Sequence, residues 1–468
     1  MNKRLRTIAD FLRDPEYFRH LIRLALPIAL QNFVTSSLNM VALIFIGQLG
    51  ETSVAAVGLA NQIWFLLNLV VFGIVSGAAM FVAQLWGKQD LPNIRRVVGL
   101  TFKLAVLAAT IFWLIAIFFP RAALHVYSND PDVIAIGSRY LTIYGWSYLF
   151  YAITSVFSAS SRSTGNVRLP LVVSTCALGL NVALAYPLIF GIEGIGLTGM
   201  GVEGAAVAGL ISRILECLTI VLVIYRDKLS PIAASLKDIF EFNGKFLVAV
   251  IKPVVPVILN EILWSFGITT YNIIYGHIGT NAVAAINIIS TIDQMAFVLF
   301  LGLGTATAIL VGNQIGQGNA EKAYLYGGRS LLIQGSGAMV MGVLVYLIAG
   351  GIFQFYKVDA AVINDARLIL TVLSVGLWIK ACNHVIIIGI LRSGGDTRFS
   401  LILDGLVIWL VGVPLTASAA FLFHLPIFFV YAFTYSEETV KFIVGLRRYF
   451  SKKWINDLTQ KVGEISLN

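Results

Sequence analysis

Long apolar runs follow one another along almost the whole chain, and they constrain the fold more than any motif does. A run of about 20 apolar residues is long enough to cross a lipid bilayer as a helix. Only 12% of the 468 residues are charged, which is about half the share in an ordinary soluble domain. The sequence therefore predicts an all-α polytopic membrane protein with about twelve transmembrane helices. The predicted spans lie at about residues 24–47, 56–86, 95–119, 134–160, 168–191, 202–225, 248–277, 281–313, 326–350, 362–391, 399–421 and 425–446.

The basic residues predict how the chain is oriented. They concentrate in alternate loops, for example at Arg95 and Arg96 and around Arg226 and Lys228, whereas the opposite loops hold few. Because short cytoplasmic loops are rich in Lys and Arg, we expect both termini in the cytoplasm and a multi-pass location in the cell (inner) membrane. The net charge of +9 then indicates anionic lipid headgroups as partners rather than nucleic acid.

The two halves of the chain resemble each other at a shift of about 229 residues. The clearest match sets Arg162-Ser-Thr-Gly-Asn-Val-Arg168 against Arg392-Ser-Gly-Gly-Asp-Thr-Arg398. We interpret these two segments as structural turns whose arginines reach lipid headgroups or helix carbonyls. Six helices per half predict two six-helix bundles, related by a pseudo-two-fold axis along the membrane normal. The predicted domains are an N-terminal lobe at 1–225, a cytoplasmic linker at 226–245 and a C-terminal lobe at 246–468.

The carboxylates that are candidates for a site deep in the membrane all fall in the second half. Glu261 aligns with Asn32 of the first half, and Asp293 and Asp404 also align with residues that carry no charge. An ionised carboxylate at bilayer depth is costly unless it faces a wet cavity or a partner, so its default interpretation is functional. The alternative for Glu261 is a neutral carboxyl group that is hydrogen-bonded inside the helix bundle. We predict a site for cation coupling at Glu261, Asp404 and Asp293, with either a proton or a sodium ion at Glu261 and no other metal. Asp293 bonding its own helix, and Asp404 lying at the interface near a helix start, are open alternatives.

Neutral polar and aromatic side chains in the spans are candidates for the lining of a substrate cleft. The alternative interpretation of His384 is an interior residue with ordinary hydrogen bonds, and that of Tyr271 is a residue that only packs between helices. Two further expectations concern charged neighbours: Arg213 and Glu216 pair within one helix, and Glu437 and Glu438 meet headgroups or basic residues. The candidates for the cleft are Asn32, Asn39, Asn181, Tyr271 and His384.

The order of the short motifs resembles the multidrug and toxic compound extrusion family. The resemblance rests on Leu26-Pro-Ile-Ala-Leu30, Phe45-Ile-Gly-Gln-Leu-Gly50, the two arginine turns, Leu180-Asn-Val-Ala-Leu184, Gly201-Val-Glu-Gly-Ala-Ala206, and Pro256 with Glu261. It implies a cation-coupled (H⁺ or Na⁺) antiporter that exports amphipathic, often cationic, organic compounds by alternating access.

The resemblance also assigns roles to individual positions. Glu261 matches the glutamate of the family's seventh helix, Asp404 resembles an aspartate of the eleventh, and Asn181 matches an asparagine of the fifth. Two departures stand out, because Ala42 and Ala185 occupy positions where relatives often carry aspartates. The resemblance therefore implies that coupling depends mainly on the C-terminal half.

Other functions are weaker interpretations of the same residues. A flippase for a lipid-linked polar headgroup, from the same superfamily, would favour Arg or Lys in the cleft, whereas the interior residues singled out here are acidic or neutral. An enzyme is not expected, since paired catalytic motifs are missing from the sequence, and a channel would need a continuous polar pore. We expect a monomer that needs no cofactor beyond its coupling ion and takes small organic cations as substrates.

Overall fold

The computed structural model describes residues 14–192, 196–240, 243–356 and 358–466, and these residues are almost entirely helical. One short antiparallel pair, β1 (Gly191–Ile192) with β2 (Leu197–Thr198), is also present. The helices are α1 (Pro15–Gly47), α2 (Glu51–Lys88), α3 (Leu91–Phe118), α4 (Pro120–His125), α5 (Pro131–Tyr144), α6 (Ser147–Ser163), α7 (Arg168–Phe190), α8 (Val202–Arg226), α9 (Leu236–Phe240), α10 (Gly244–Ile278), α11 (Thr280–Gly316), α12 (Ala320–Ile352), α13 (Ala360–Arg392), α14 (Thr397–Leu422), α15 (Ile427–Phe450) and α16 (Thr459–Ser466).

Ten of the described helices are long and apolar enough to cross a membrane. The fourth predicted span is divided, because α5 ends at Tyr144 and α6 begins at Ser147. The last span is α15, whose 24 residues are long enough to cross but carry charges near their middle. With these two additions the described helices account for the predicted spans. The all-α polytopic fold class is confirmed.

Lipid-facing surfaces explain why so many large apolar side chains are uncovered. Leu347, Val375 and Leu410, on three different helices, are all exposed. In a soluble protein a surface of this kind would mark an interface. In a bilayer the acyl chains are as apolar as the side chains, so a spanning helix has no need to bury them.

Wide π-helical turns interrupt the second half of the chain. The last eight residues of α13, Val385–Arg392, are π-helical. Much of α14 is too, including Leu401–Leu406 and Ile408–Gly412. Such turns are uncommon and often lie at functional sites. Here they contain Arg392, Asp404 and Gly412, which all take part in the site described below.

The described chain divides into two compact units. Unit 1 contains the described residues of 1–29, 83–88 and 252–461, and unit 2 contains those of 30–82, 89–251 and 462–468. The helices α1, α2 and α10 each contribute residues to both units. The predicted lobes at 1–225 and 246–468, their linker at 226–245 and their two-fold relation stay predictions.

Each unit has its own apolar core. In unit 1, α12 packs along α13 and α13 packs along α15, with Ile289, Leu373 and Val430 almost fully buried between helices. In unit 2, α7 packs along α8, and Ala185 and Ala208 are buried where they meet. Small residues at such contacts let helix backbones approach closely, which is the usual means of helix association in membranes.

The segment that follows α15 folds back onto the turn between α13 and α14, within unit 1. Trp454 is fully buried, and the Asn456 amide donates a hydrogen bond of 2.9 Å to the Gly394 carbonyl. Gln84, near the end of α2, joins these parts. Its Nε2 donates to the carbonyls of Ser393, at 2.8 Å, and Asn456, at 3.1 Å, while its Oε1 accepts from the Leu458 amide at 2.8 Å.

We expect Gly394→Ala to detach this C-terminal segment. A Cβ at Gly394 would lie only 2.3 Å from the Trp454 carbonyl oxygen, and backbone at that distance has to move. Trypsin should then cleave after Lys452 and Lys453 several-fold faster than in the wild type, as followed by mass spectrometry. Gly179→Ala is the control, because a Cβ there meets nothing within 4 Å. Equal cleavage rates for both variants would contradict the expectation.

Candidate functional site

Glu261 lies inside α10 and is paired with an arginine. Its side chain is only 11% exposed, and its Oε1 is 2.6 Å from Nη2 of Arg392, whose side chain is 4% exposed. Arg392 is the last residue of the π-helical end of α13. The expectation that Arg392 reaches lipid headgroups was wrong, because its guanidinium is buried against a carboxylate. Two charges can share a dry interior when each neutralises the other.

Asp404 is the centre of a second charged group, on α14. Its Oδ1 is 2.9 Å from Nζ of Lys441 on α15, and its Oδ2 accepts a 2.8 Å hydrogen bond from Nδ2 of Asn260. Asn260 immediately precedes Glu261 in α10, so the two charged groups are connected through adjacent residues of one helix. The alternative that Asp404 is an interfacial residue was wrong, since its side chain is only 15% exposed and both oxygens are held.

Lys441 lies between two carboxylates. Besides Asp404, it approaches Oε1 of Glu437 at 3.6 Å, and the Glu437 side chain is only 4% exposed. The expectation that Glu437 contacts a basic residue is confirmed. The expectation that it contacts lipid headgroups was wrong, because the side chain is buried. Glu438, one residue on, accepts a 2.6 Å hydrogen bond from Nδ2 of Asn383.

Asp293 forms a separate ion pair, between α11 and α13. Its Oδ2 is 2.5 Å from Nζ of Lys380, and the ammonium also lies 4.8 Å from the centre of the Phe297 ring. His384 packs edge-on against the same ring at 5.5 Å. The alternative that Asp293 only bonds its own helix was wrong, because its partner is on α13.

The residues predicted to share one cleft divide between the two units. Glu261, Asp293, Asp404, Tyr271 and His384 belong to unit 1, and Tyr271 is buried there. The three asparagines belong to unit 2: Asn32 and Asn181 are half-buried, and Asn39 is exposed. Their common role as cleft residues stays a prediction.

Unit 2 has a polar group that sequence reasoning found only in part. The predicted pair of Arg213 and Glu216 is present, at 2.6 Å. The Arg213 guanidinium also lies 5.5 Å from the centre of the Tyr151 ring, and the Tyr151 hydroxyl donates a hydrogen bond to Oδ1 of Asn68. An arginine held over an aromatic face in this way is stabilised by the ring as well as by the carboxylate.

Sequence reasoning missed the basic side chains of unit 1. Arg392, Lys380 and Lys441 each pair with a predicted carboxylate, so the description of the interior as acidic or neutral was wrong for this unit. A signal was present for Lys441, which lies four residues after Glu437 on the same helix face. Lys380 likewise lies inside a predicted span, where a basic residue needs a partner.

One family model matches the chain twice. The model named MatE matches residues 27–187 and 256–418, and the two starts differ by 256 − 27 = 229 residues, which agrees with the predicted shift between the halves. Solved structures agree in fold. A mutant of the Vibrio cholerae MATE transporter VcmN is 17% identical with a TM-score of 0.86, and the alignment covers 94% of this chain and 98% of that one.

A transporter of the MOP superfamily from Pyrococcus furiosus is also similar in fold. It is 21% identical with a TM-score of 0.83, over 95% of this chain and 98% of that one. The binding pocket of that transporter has reverse polarity, which suggests a different function for it.

Curated relatives match over most of their length. The probable multidrug resistance protein NorM of Thermotoga maritima is 23% identical over 94% of both chains. The protein of the same name from Brucella suis is 26% identical over 86% of both. Since the MatE model covers most of both halves, this chain belongs to the MatE family, the multidrug and toxic compound extrusion transporters.

Proposed function

We propose that this protein is a cation-coupled antiporter, driven by H⁺ or Na⁺, which exports amphipathic organic cations by alternating access. The observation that carries the proposal is the buried pair of Glu261 and Arg392 inside unit 1. The names of the relatives, which describe probable multidrug resistance proteins, support the substrate class. Family membership also confirms that the protein is a transporter and not an enzyme.

Arg392 makes Glu261 suitable for exchange. A coupling ion or a cationic substrate that reaches Glu261 has to compete with the guanidinium, so its binding separates the pair. The freed Arg392 then needs other partners, because a buried unpaired charge is costly. Each occupant of Glu261 therefore favours a different arrangement of α13 relative to α10, and alternating access requires such differential binding.

Contacts at the start of α1 hold that end of the helix against α11 and α12 within unit 1. The Tyr17 hydroxyl lies 2.7 Å from Oγ of Ser330, and Ser330 accepts a hydrogen bond from Thr307 at 2.8 Å. Nearby, Asp14 pairs with Arg329. Burial alone raises the pKa of the Asp14 carboxyl, but the Tyr17 amide and Arg329 outweigh it and hold that pKa below its ordinary value. The pair of Asp14 and Arg329 is thus expected to persist in mild acid.

The runner-up function, a flippase for an anionic lipid-linked headgroup, has one observation in its favour. Arg392 and Lys441 are buried bases, and the reverse pocket polarity of the Pyrococcus transporter suggests that a relative of this fold can have a different function. Each base here is matched by a carboxylate, however, so these pairs leave no excess positive charge to hold an anion. The antiporter is therefore the better proposal.

Transport into vesicles tests the proposal. Purified protein in lipid vesicles should accumulate a fluorescent organic cation under an imposed proton or sodium gradient. Glu261→Gln should abolish the dependence on the gradient, because the amide keeps the shape but cannot take up a cation. Glu321→Gln is the matched control, since it removes a Glu–Lys pair with Lys452 that lies at the surface.

Two outcomes would overturn the proposal. One is gradient-driven uptake by Glu261→Gln at the wild-type rate. The other is translocation of a lipid-linked sugar without transport of any organic cation, which would favour the flippase.

We further propose that the protein acts as a monomer in the cell membrane with cytoplasmic termini, and needs no cofactor besides the coupling ion.

A further inference from the structure

Glu437, a second buried carboxylate in unit 1, differs from Glu261 because the group to which it belongs has one more acidic side chain than basic ones. Lys441 is the one base within ion-pair distance of both Asp404 and Glu437 in the described structure, at 2.9 Å and 3.6 Å. Two carboxylates and one ammonium leave a net charge of one negative unit. Glu437 and Lys441 are 3% and 1% exposed, and a net charge so deeply buried is strongly disfavoured.

The hydrogen bonds show which carboxylate carries the excess. Both oxygens of Asp404 are held, one by Lys441 and one by Asn260. On Glu437, Oε1 faces Lys441, whereas Oε2 has no hydrogen-bond partner among the described residues. An ionised carboxylate oxygen without a donor in a dry interior is costly, on the order of several kcal/mol. A proton on Oε2 removes both the excess charge and most of this cost.

A phenol lies beside the open oxygen. The Tyr271 hydroxyl on α10 is also buried without a partner among the described residues. Both atoms lie against Gly412 of α14: a Cβ there would be 2.0 Å from Oη of Tyr271 and 2.8 Å from Oε2 of Glu437. The absence of a side chain at Gly412 therefore leaves the space in which the two groups meet, and a small shift allows a hydrogen bond between them.

The other groups around Glu437 do not supply the missing charge. Its own helix presents Lys441 and Glu438, and α14 presents Asp404. The helix α10 presents the phenols of Tyr271 and Tyr275, and α13 presents the neutral amide of Asn383, which bonds Glu438. Arg392 of α13 also acts on Asp404, but it is paired with Glu261. Among the described residues, Lys441 is thus the sole base within ion-pair distance of Glu437, and it is shared with Asp404.

From this arrangement we infer that Glu437 binds and releases a proton, and that it forms an exchange site separate from Glu261. Uptake converts the carboxylate and one proton from water into the neutral acid, whose new O–H bond is on Oε2. Release restores the carboxylate, and the Tyr271 hydroxyl is then placed to donate to it. A metal cation is disfavoured, because hard cations collect several oxygen ligands and the nearest charged neighbour is an ammonium. One part of the inference rests on the proposed function, namely that the proton on Glu437 contributes to the coupling of transport.

Infrared difference spectroscopy tests the site without depending on transport. Purified protein in lipid is compared between acidic and alkaline buffer, and the measured signal is the carbonyl stretch of a buried carboxylic acid. We expect a band that is present in the wild type, in Glu261→Gln and in Glu438→Gln and is lost in Glu437→Gln, whereas any band from Glu261 is lost only in Glu261→Gln. Glu438→Gln is the matched control, since it is the adjacent residue.

Tyr271→Phe keeps the test informative if Glu437→Gln does not fold. Removing the hydroxyl takes away the polar group that lies beside the acid, so the carbonyl signal should shift in frequency. An unchanged signal in either Glu437→Gln or Tyr271→Phe would overturn the inference, as would its removal by sodium ions at constant pH. A signal that behaves as expected while vesicles show no transport would preserve this site and count against the proposed function instead.

Discussion

Arg392→Met is expected to lower the free energy of unfolding by about 3–5 kcal/mol, the usual cost of removing one partner from a buried ion pair. The reason is that the substitution keeps a long side chain but leaves Glu261, whose side chain is 11% exposed, without its guanidinium. Thermal unfolding of the purified protein in detergent, followed by circular dichroism, measures the change. Gradient-driven transport should be lost as well, since the exchange at Glu261 requires a partner to displace.

The double variant separates the charge from the packing. Glu261→Gln combined with Arg392→Met removes both charges, so it should recover most of the lost stability. Arg139→Met is the control, because its pair with Glu203 has side chains that are 65% and 36% exposed, and exposed pairs contribute about 1 kcal/mol or less. A double variant as unstable as Arg392→Met would show that the arginine acts through packing alone.

Lys441→Met should be at least as destabilising, and its effect should depend on pH. The lysine serves both Asp404 and Glu437, so two buried carboxylates lose their base in one substitution. Protonation neutralises them, and the deficit relative to the wild type should therefore shrink as the pH falls and grow as it rises. Unfolding temperatures measured across a series of buffers test this.

Matched variants make the Lys441 result specific. Adding Glu437→Gln to Lys441→Met removes one of the two carboxyl groups that would ionise without a base as the pH rises, and it should restore part of the unfolding temperature at alkaline pH. Lys452→Met, which disrupts an exposed pair with Glu321, should change it little. A pH-independent deficit in Lys441→Met would contradict the assignment of Lys441 as the counter-ion of this group.

Local features of the sequence were sufficient for much of the fold. Apolar runs located the spanning helices because crossing a bilayer sets a minimum length for each one. The pair of Arg213 and Glu216 was predicted because residues three apart on a helix are neighbours. The break between Tyr144 and Ser147 was missed, since the apolar run continues across it.

The partners at the candidate site could not be predicted in the same way. Glu261 and Arg392 are 392 − 261 = 131 residues apart, and nothing in the spacing of apolar residues brings α10 against the end of α13. The π-helical turns add to the difficulty, because they change the direction of side chains relative to a regular helix. Arg392 was therefore assigned to a turn by its local motif, whereas the structure places it inside unit 1.

The packing of Trp454 against the turn between α13 and α14 has a consequence for the biosynthesis of the protein. The ribosome synthesises Trp454 and Asn456 only after α15, the last spanning helix, has been completed. Until then Gln84 lacks two of its three hydrogen-bond partners, the Asn456 carbonyl and the Leu458 amide. The end of α2 and the turn after α13 therefore gain these contacts only when this late segment has been made. Because the chain has eight tryptophans, fluorescence during cell-free synthesis in nanodiscs would report this step in a variant that keeps Trp454 as its sole tryptophan.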